Sequence, residues 1–289
     1  MATRGSAPWV LIATPSLSGG RLFGYASVVR SLPHELAAIV RDPDRSALLL
    51  DFDGTLAPIV TDPAAATLPP ETTQVLGDLQ SRIARVAIVS GRPVHFLQEA
   101  LGPIPITLVG LYGTDRFIDG VPTIDDRVEA YRPAIERAAQ AAEHALTGLL
   151  IERKGVSFTI HWRGSPAREQ EALREGRMVA KRFGLTTELG RMALEVRPPT
   201  KIDKGQAVLP LVGTYKHVLF AGDDRADIPA FTVLRTHAIR TATHVILVAV
   251  ASDESPPELT GLADFTVDGP HGLLSVLQLL LSALQQPAI

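Results

Sequence analysis

The sequence predicts a doubly wound α/β core, built on a parallel sheet, with a smaller α+β unit inserted into it. Two observations support this fold class. In both halves of the chain, short apolar runs rich in Val, Ile and Leu alternate with helical segments, which is typical of buried parallel strands and their connecting helices. Between residues 125 and 199 this alternation stops, and the order becomes helix, two strands, helix, two strands.

These patterns divide the chain of 289 residues into three parts. Residues 1–44 are an N-terminal extension that is initially rich in Gly, Ser and Pro, and only its residues 28–40 predict a helix. Residues 45–124 and 200–289 are the predicted core, and residues 125–199 are the inserted unit.

The core is predicted to contain five strands, at residues 47–50, 86–89, 106–109, 218–221 and 245–251. Its helices are predicted at residues 71–82, 94–101, 204–211 and 228–234. Four of the strands end in residues that can react or can approach a phosphate closely: Asp51, Ser90, Gly110 and Asp223. Because ligands of such sheets bind beyond the carboxyl ends of the strands, these residues are expected to share one site.

The inserted unit is predicted to contain helices at residues 126–146 and 166–183 and strands at 149–153, 156–163, 185–188 and 192–197. Alternation along the strands places apolar side chains on the face that the helices cover. The opposite face then carries Glu152, Lys154, His161, Arg163, Arg191, Glu195 and Arg197. The pattern alone favours a solvated sheet face, and the alternative is a binding surface for a hydroxyl-rich ligand.

Composition excludes several classes of function. Lys and Arg total 28 against 31 Asp and Glu, so no basic surface indicates binding to nucleic acid or to an anionic membrane. The absence of cysteine excludes disulfides, a thiolate nucleophile and cysteine-ligated metals. No apolar run is long enough to span a membrane. We therefore expect a soluble, cytoplasmic protein.

Two acidic clusters predict a metal site. Asp51 and Asp53 follow one strand, and Asp223, Asp224 and Asp227 follow another. Carboxylates so close together repel each other unless a cation joins them, and Mg²⁺ prefers oxygen ligands. Capping of a helix N-terminus would explain Asp223 or Asp227 singly, but it explains the pair Asp51 and Asp53 poorly.

Four motifs in this order resemble the haloacid dehalogenase superfamily of phosphatases. They are D-x-D-G-T-L at residues 51–56, Ser90 at a strand end, Lys204 at a helix start, and G-D-D-x-x-D at residues 222–227. Three further segments narrow the resemblance to the trehalose-6-phosphate phosphatases, over about residues 45–280: S-G-R-P at 90–93, E-x-K followed by H-W-R within 152–163, and L-E-V-R-P-P at 194–199. The inserted unit occupies the position of that family's cap, and we call it the cap.

The chain departs from the family pattern at three places. Leu111-Tyr112 stands where many members have Asn-His, and Trp162 stands where Tyr is common. The fourth motif ends in Ala226-Asp227-Ile228-Pro229 and lacks the usual acidic tail.

The resemblance implies a Mg²⁺-dependent hydrolysis of trehalose 6-phosphate through a phosphorylated aspartate. In this scheme Asp51 is the nucleophile, Asp53 transfers protons, and Ser90 and Lys204 complete the catalytic set. The implied metal ligands are Asp51, Asp53 through its backbone carbonyl, and Asp223, supported by Asp224 and Asp227. Phosphate is expected to bind Thr55, Ser90, Gly91 and Lys204. The sugar is expected to bind Arg92 of the core and Glu152, Lys154, His161, Arg163, Arg191 and Glu195 of the cap.

Two other functions stay open at this point. One is hydrolysis of a different sugar phosphate, such as a sucrose or mannosyl phosphate. The other is a catalytically silent regulatory subunit of a trehalose-phosphate synthase system, in which case a trehalose-phosphate synthase is the partner. The intact residues Asp51, Asp53, Ser90, Lys204 and Asp223 argue against the silent subunit.

Overall fold

The structure is a computed structural model that describes residues 32–60, 62–190, 192–200, 202–253 and 255–286. Its strands are β1 (Ser46–Leu50), β2 (Arg85–Val89), β3 (Thr107–Gly110), β4 (Asp115–Ile118), β5 (Val121–Ile124), β6 (Leu150–Arg153), β7 (Phe158–His161), β8 (Thr186–Gly190), β9 (Ala193–Arg197), β10 (His217–Gly222), β11 (His244–Ala251) and β12 (Phe265–Asp268). Its α-helices are α1 (Ala37–Arg41), α2 (Pro70–Gln80), α3 (Val94–Leu101), α4 (Asp126–Glu129), α5 (Arg132–Ala145), α6 (Glu169–Arg182), α7 (Lys204–Val212), α8 (Ile228–Thr241), α9 (Pro257–Leu262) and α10 (Gly269–Gln285). None of these helices has the length and apolar character needed to cross a membrane.

The predicted α/β core is confirmed. Its sheet has the order β12-β11-β10-β1-β2-β3-β4-β5, and the pairings from β12 to β3 are parallel. Strand β1 shows why these runs are wholly apolar: Leu48 and Leu50 pack into the hydrophobic cluster on one face of the sheet, and Ala47 and Leu49 pack into the cluster on the other. A strand covered on both faces needs an apolar side chain at every position.

Three strands of the core sheet were not predicted. Strands β4 and β5 extend the sheet as an antiparallel hairpin, and β12 forms the opposite edge. The hairpin turns at Asp119 and Gly120, which both have positive φ angles of 52° and 84°. Positive φ at both central residues is typical of the tight turns that join antiparallel strands.

The inserted unit forms a separate antiparallel sheet of order β6-β7-β9-β8, so the predicted four-stranded arrangement is confirmed. Phe158, Ile160 and Leu194 pack with side chains of α5 and α6 in one hydrophobic cluster. The prediction of a single helix at residues 126–146 is wrong, because this segment forms two helices, α4 and α5. Pro133 lies in the first turn of α5, where its missing N–H is tolerated.

The end of the predicted extension packs against the core. Residues 1–31 lie outside the described residues, which includes the first part of the helix predicted at 28–40. A 3₁₀ turn at His34–Leu36 leads into α1, and the side chains of Leu36 and Ile39 are fully buried in the larger hydrophobic cluster of the core. This short segment therefore contributes to the stability of the α/β sheet.

We expect Ile39→Ala to lower the free energy of unfolding by about 2–5 kcal/mol, because it removes a buried side chain and leaves a cavity. Ile239→Ala in α8 is a matched control, since Ile39 is 0% and Ile239 86% exposed. The control should change stability by less than about 0.5 kcal/mol. Denaturant unfolding of both variants measures the difference, and equal losses would contradict a structural role for α1.

Candidate active site

Three buried carboxylates meet where β1 and β10 end. These strands are parallel neighbours, so Asp51 and Asp223, which follow them directly, lie side by side. Each carboxylate of Asp51, Asp223 and Asp227 offers an oxygen within 4.8 Å of the others, and all three residues are buried. Asp51 of the first acidic cluster and Asp223 and Asp227 of the second thus form one group, and the carboxylate of Asp53 instead binds Arg92.

Two glycines leave the space that this group needs. Gly54 has a φ of +79°, and a Cβ there would lie 2.2 Å from Oδ2 of Asp223. A Cβ on Gly222 would lie 2.4 Å from Cγ of Asp227. Any larger residue would displace a carboxylate, so the close approach of the two acidic segments depends on both glycines.

Lys204 is the cation that joins two of the carboxylates. It is the first residue of α7, and its Nζ lies 2.6 Å from Oδ1 of Asp51 and 2.7 Å from Oδ1 of Asp227. The other oxygen of Asp227 accepts hydrogen bonds from the backbone N–H groups of Asp223 and Asp224. Lys204 and these amides therefore hold Asp227 from both sides.

Burial dominates the electrostatics of this cluster. It raises the pKa of Asp51 to about 8, against the opposing charge of Lys204, and it also raises the pKa of Asp227. A divalent cation would offset this cost of buried negative charge, and three carboxylates supply the oxygen ligands that Mg²⁺ or a similar ion takes. The donor set therefore fits a metal ion.

Of the residues predicted to bind phosphate, Thr55 and Lys204 contact this group. The hydroxyl of Thr55 lies 3.2 Å from Oδ1 of Asp223 and 3.5 Å from Oδ2 of Asp51. Ser90 is buried beyond β2, and its Oγ accepts a hydrogen bond from the backbone N–H of Arg92. A Cβ on Gly91 would lie 2.7 Å from the hydroxyl of Tyr112, so this loop also requires a glycine.

Arg92 connects the core to the cap. Its Nε and Nη2 each donate a hydrogen bond of 2.7 Å to one oxygen of Asp53, and its Nη1 donates one of 2.9 Å to Glu152 at the start of the cap sheet. The guanidinium also lies 4.4 Å from the centre of the Phe96 ring. The sequence predicted a sugar-binding role for Arg92, but nothing in the sequence indicated that it contacts both Asp53 and Glu152.

Three basic side chains contact the carboxylate of Glu152. His161 Nε2 lies 2.9 Å and Lys154 Nζ 3.8 Å from Oε2, and Arg92 binds Oε1. Burial alone would raise the pKa of Glu152, but the hydrogen bond to His161 and the charges of Lys154 and Arg92 lower it to about 2. Glu152 is therefore ionised in the folded protein at neutral pH.

The polar face of the cap sheet is not a solvated surface, so the interpretation that the pattern alone favoured is wrong. Its residues Ser157, Thr159 and Glu195 are 4–6% exposed. Glu195 accepts a hydrogen bond of 2.8 Å from the hydroxyl of Ser157. A small cavity lies between this face and the core and is lined by Glu195, Ser157 and by Tyr112 of the core. The face is directed toward the core.

The structure also shows polar residues of this face that sequence reasoning left out. The in-register row Glu152, Thr159, Glu195 and Glu188 crosses all four strands of the cap sheet. Strand alternation placed Ser157 and Thr159 on the polar face, but neither was selected because their side chains are small and uncharged. In the sequence, only the departure from the family pattern marks Tyr112. In the structure, its φ of 57° is unusual for a residue other than glycine.

The remaining predicted residues lie as follows. Arg163 is half-buried just after β7, and Asp224 uses its side chain to cap the turn at Arg225–Asp227. Arg197 binds Glu188 and the carbonyl oxygen of Ile202. Arg191 lies outside the described residues.

Comparisons with known proteins agree with this geometry. A sequence model described as trehalose-phosphatase matches residues 49–269. The trehalose-phosphate phosphatase of Mycobacterium tuberculosis (strain ATCC 25618 / H37Rv) is 30% identical over 214 residues, which cover 70% of this chain and 54% of that protein. The chain thus spans about half the length of the first curated relatives it matches.

Solved structures show the same fold. That of the Aspergillus fumigatus trehalose-6-phosphate phosphatase, in crystal form 3, is 28% identical with a TM-score of 0.59, over 87% of this chain and 98% of that one. The C-terminal domain of a Candida albicans trehalose synthase regulatory protein has a TM-score of 0.62 over 86% of this chain and 99% of its own. At 14% identity, that second likeness concerns the fold alone.

The depressed pKa of Glu152 makes a pH-dependent contribution to stability. Since the pKa is about 2 in the folded chain against 4.5 ordinarily, the contribution is complete above about pH 4.5 and is lost as the pH falls toward 2. We expect Glu152→Gln to lower the free energy of unfolding by about 1–3 kcal/mol at neutral pH. The difference from the wild type should shrink by about 40% near pH 3.5.

Denaturant unfolding at both pH values measures this difference. Glu169→Gln, an exposed position of α6, is the matched control and should change stability by less than about 0.5 kcal/mol. A loss for Glu152→Gln that is the same at both pH values would contradict the ionic environment described for Glu152.

Proposed function

Because the chain belongs to the trehalose-phosphatase family, we propose that it hydrolyses trehalose 6-phosphate to trehalose and inorganic phosphate, with Asp51 as the nucleophile. The observation that carries this proposal is the buried group of Asp51, Asp223, Asp227 and Lys204 at the carboxyl ends of β1 and β10. A carboxylate nucleophile, a cation to orient it and an oxygen-rich metal site are what phosphoryl transfer to an aspartate requires.

We assign the metal as Mg²⁺ and its ligands as Asp51, the backbone carbonyl of Asp53, and Asp223. Asp224 and Asp227 support this site through the hydrogen bonds of the Asp223–Asp227 turn. When bound, Mg²⁺ would neutralise the charge of the phosphate and of the carboxylates around it.

In the first step an oxygen of Asp51 attacks phosphorus, and the bond between phosphorus and the sugar oxygen breaks. Asp53 donates a proton to the departing sugar oxygen, so that a neutral hydroxyl leaves. Lys204 fixes the attacking carboxylate through its contact of 2.6 Å. We assign Thr55, Ser90 and the backbone of Gly91 to the binding of the phosphate oxygens.

In the second step a water molecule attacks the phosphorus of the phosphorylated Asp51. Asp53, now ionised, accepts the proton of that water, the bond between the Asp51 oxygen and phosphorus breaks, and phosphate is released. The same residue thus acts as acid and then as base, and it must lie at the side of the phosphate away from Asp51.

The polar face of the cap supports selection of the sugar. This face carries Glu152, Lys154, His161 and Glu195. In the sequence, Arg163 follows β7 and Arg191 stands between β8 and β9. Charged groups that are buried in this way favour a ligand whose hydroxyls complete their hydrogen bonds, and they disfavour one that lacks such hydroxyls. Arg92 reaches this surface from the core.

We further propose a role in trehalose biosynthesis, in the cytoplasm. Hydrolysis of another sugar phosphate is the second candidate, since a polar cap face would serve any hydroxyl-rich substrate. A silent regulatory subunit bound to a trehalose-phosphate synthase is disfavoured by the intact arrangement of Asp51, Lys204 and Asp223.

Release of phosphate from trehalose 6-phosphate, sucrose 6-phosphate and glucose 6-phosphate tests the activity. We expect turnover with Mg²⁺, loss of turnover after chelation, and the highest kcat/KM for trehalose 6-phosphate. Asp51→Asn should abolish turnover while the protein remains folded, because the amide keeps the shape but loses the nucleophile. Full activity of Asp51→Asn, or of the chelated wild type, would refute the mechanism.

Glu195→Gln separates sugar recognition from phosphoryl transfer. The variant keeps the side chain's size but loses the charge that binds a sugar hydroxyl, so kcat/KM for trehalose 6-phosphate should fall about tenfold to a hundredfold. The value for para-nitrophenyl phosphate, which lacks a sugar, should change less than about threefold. Glu169→Gln serves as control on both substrates, and equal losses for Glu195→Gln on the two substrates would exclude a role in selecting the sugar.

A further inference from the structure

We propose that Arg92 is a positioning residue that couples the position of the cap relative to the core to the orientation of the Asp53 carboxylate. This inference rests on the proposed function, since it assigns to Asp53 the transfer of protons. The observation that supports it is that one guanidinium contacts both Asp53 in the core and Glu152 in the cap.

Arg92 is fixed on the side of the core. Its backbone N–H donates to Oγ of Ser90, and its carbonyl oxygen accepts a hydrogen bond from the N–H of Leu111. The Phe96 ring supports its guanidinium. These hydrogen bonds fix the backbone of Arg92, whereas its guanidinium, on a side chain that is 8% exposed, is held by Phe96 and by the carboxylates of Asp53 and Glu152.

Glu152 is fixed on the side of the cap. It belongs to strand β6, and His161 of the neighbouring strand and Lys154 hold its second oxygen. Movement of the cap relative to the core must therefore either displace the guanidinium of Arg92 or break its contact with Glu152.

Asp53 is the least constrained of the three residues. Its side chain is 37% exposed, against 20% for Glu152 and 8% for Arg92, and its recorded side-chain partner is the guanidinium. Two parallel hydrogen bonds define the plane of a carboxylate as well as its position. Each carboxylate oxygen retains a second lone pair, so Asp53 can still accept a proton from water. The orientation of Asp53 thus depends on where Glu152 and the cap hold Arg92.

Lysine cannot replace this arrangement, because an ammonium group is a point charge without the planar fork that binds two oxygens in parallel. We therefore expect Arg92→Lys to fold and to lower kcat for trehalose 6-phosphate about tenfold to a hundredfold. Arg92→Gln removes the charge as well and should lower kcat at least as far. Thermal unfolding establishes that each variant is folded.

A double-mutant cycle tests the coupling. In the wild-type background, Glu152→Gln should raise KM, through lost sugar contacts, and lower kcat about tenfold, through Arg92. In the Arg92→Lys background the same substitution should still raise KM but should change kcat by less than about twofold. A residue that only stabilised the fold would not separate KM from kcat in this way.

The control cycle pairs Arg92→Lys with Glu195→Gln. Glu195 lies on the same face of the cap, but its partners are Ser157 and the hydroxyl of Tyr112 rather than Arg92. Its effect on kcat should therefore multiply with that of Arg92→Lys to within about twofold. The proposal is overturned if Glu152→Gln lowers kcat by the same factor in both backgrounds, or if Arg92→Lys leaves kcat unchanged or raises it.

These outcomes are distinct from failure of the proposed function. If the wild type hydrolyses a different sugar phosphate, the assigned substrate is wrong and the cycle is measured with the substrate that is turned over. If trehalose 6-phosphate is hydrolysed and the factors for Glu152 and Arg92 multiply, the coupling alone is refuted. If no sugar phosphate is hydrolysed, both proposals fail.

Discussion

The concentration of negative charge at the ends of β1 and β10 is the constraint on which the rest of the structure depends. The carboxylates of Asp51, Asp223 and Asp227 lie together and are at most 4% exposed, and such a buried group is costly without compensating cations. Lys204 supplies one cation from the start of α7. The parallel sheet supplies the geometry, because it brings two distant segments to the same edge.

The cap completes a site that the core alone leaves open. Its antiparallel sheet has an apolar face covered by α5 and α6, and its charged face is buried against the core. Charged side chains tolerate such burial only when they are paired, and the contacts of Glu152 with Arg92, His161 and Lys154 provide that pairing. The residues that we propose to bind a polar ligand thus also hold the cap against the core.

The sequence predicted the core strands well because each is apolar at every position, and the cap strands because their residues alternate. It did not reveal the β4–β5 hairpin, although Asp119-Gly120 is a recognised turn signal; the exposed strand β5 lacks a clear apolar pattern. The division between α4 and α5 was hidden by an apolar periodicity that continues across it. The contact of Arg92 with Glu152 joins residues 60 positions apart on different domains, and no local pattern encodes such a pair.

The insertion of the cap between two halves of the core bears on how the chain folds. Thr55 and Asp223, whose side chains touch, are 168 positions apart, and the central pairing of β1 with β10 spans a similar distance. Contacts so remote in sequence form slowly, whereas the cap is continuous in sequence and its strands pair with near neighbours. During synthesis from the N-terminus, β1 and β2 must wait with exposed apolar faces until β10 has left the ribosome. We therefore expect the carboxylates of Asp51 and Asp223 to meet late in folding, when the two halves of the sheet join around a cap that is already formed.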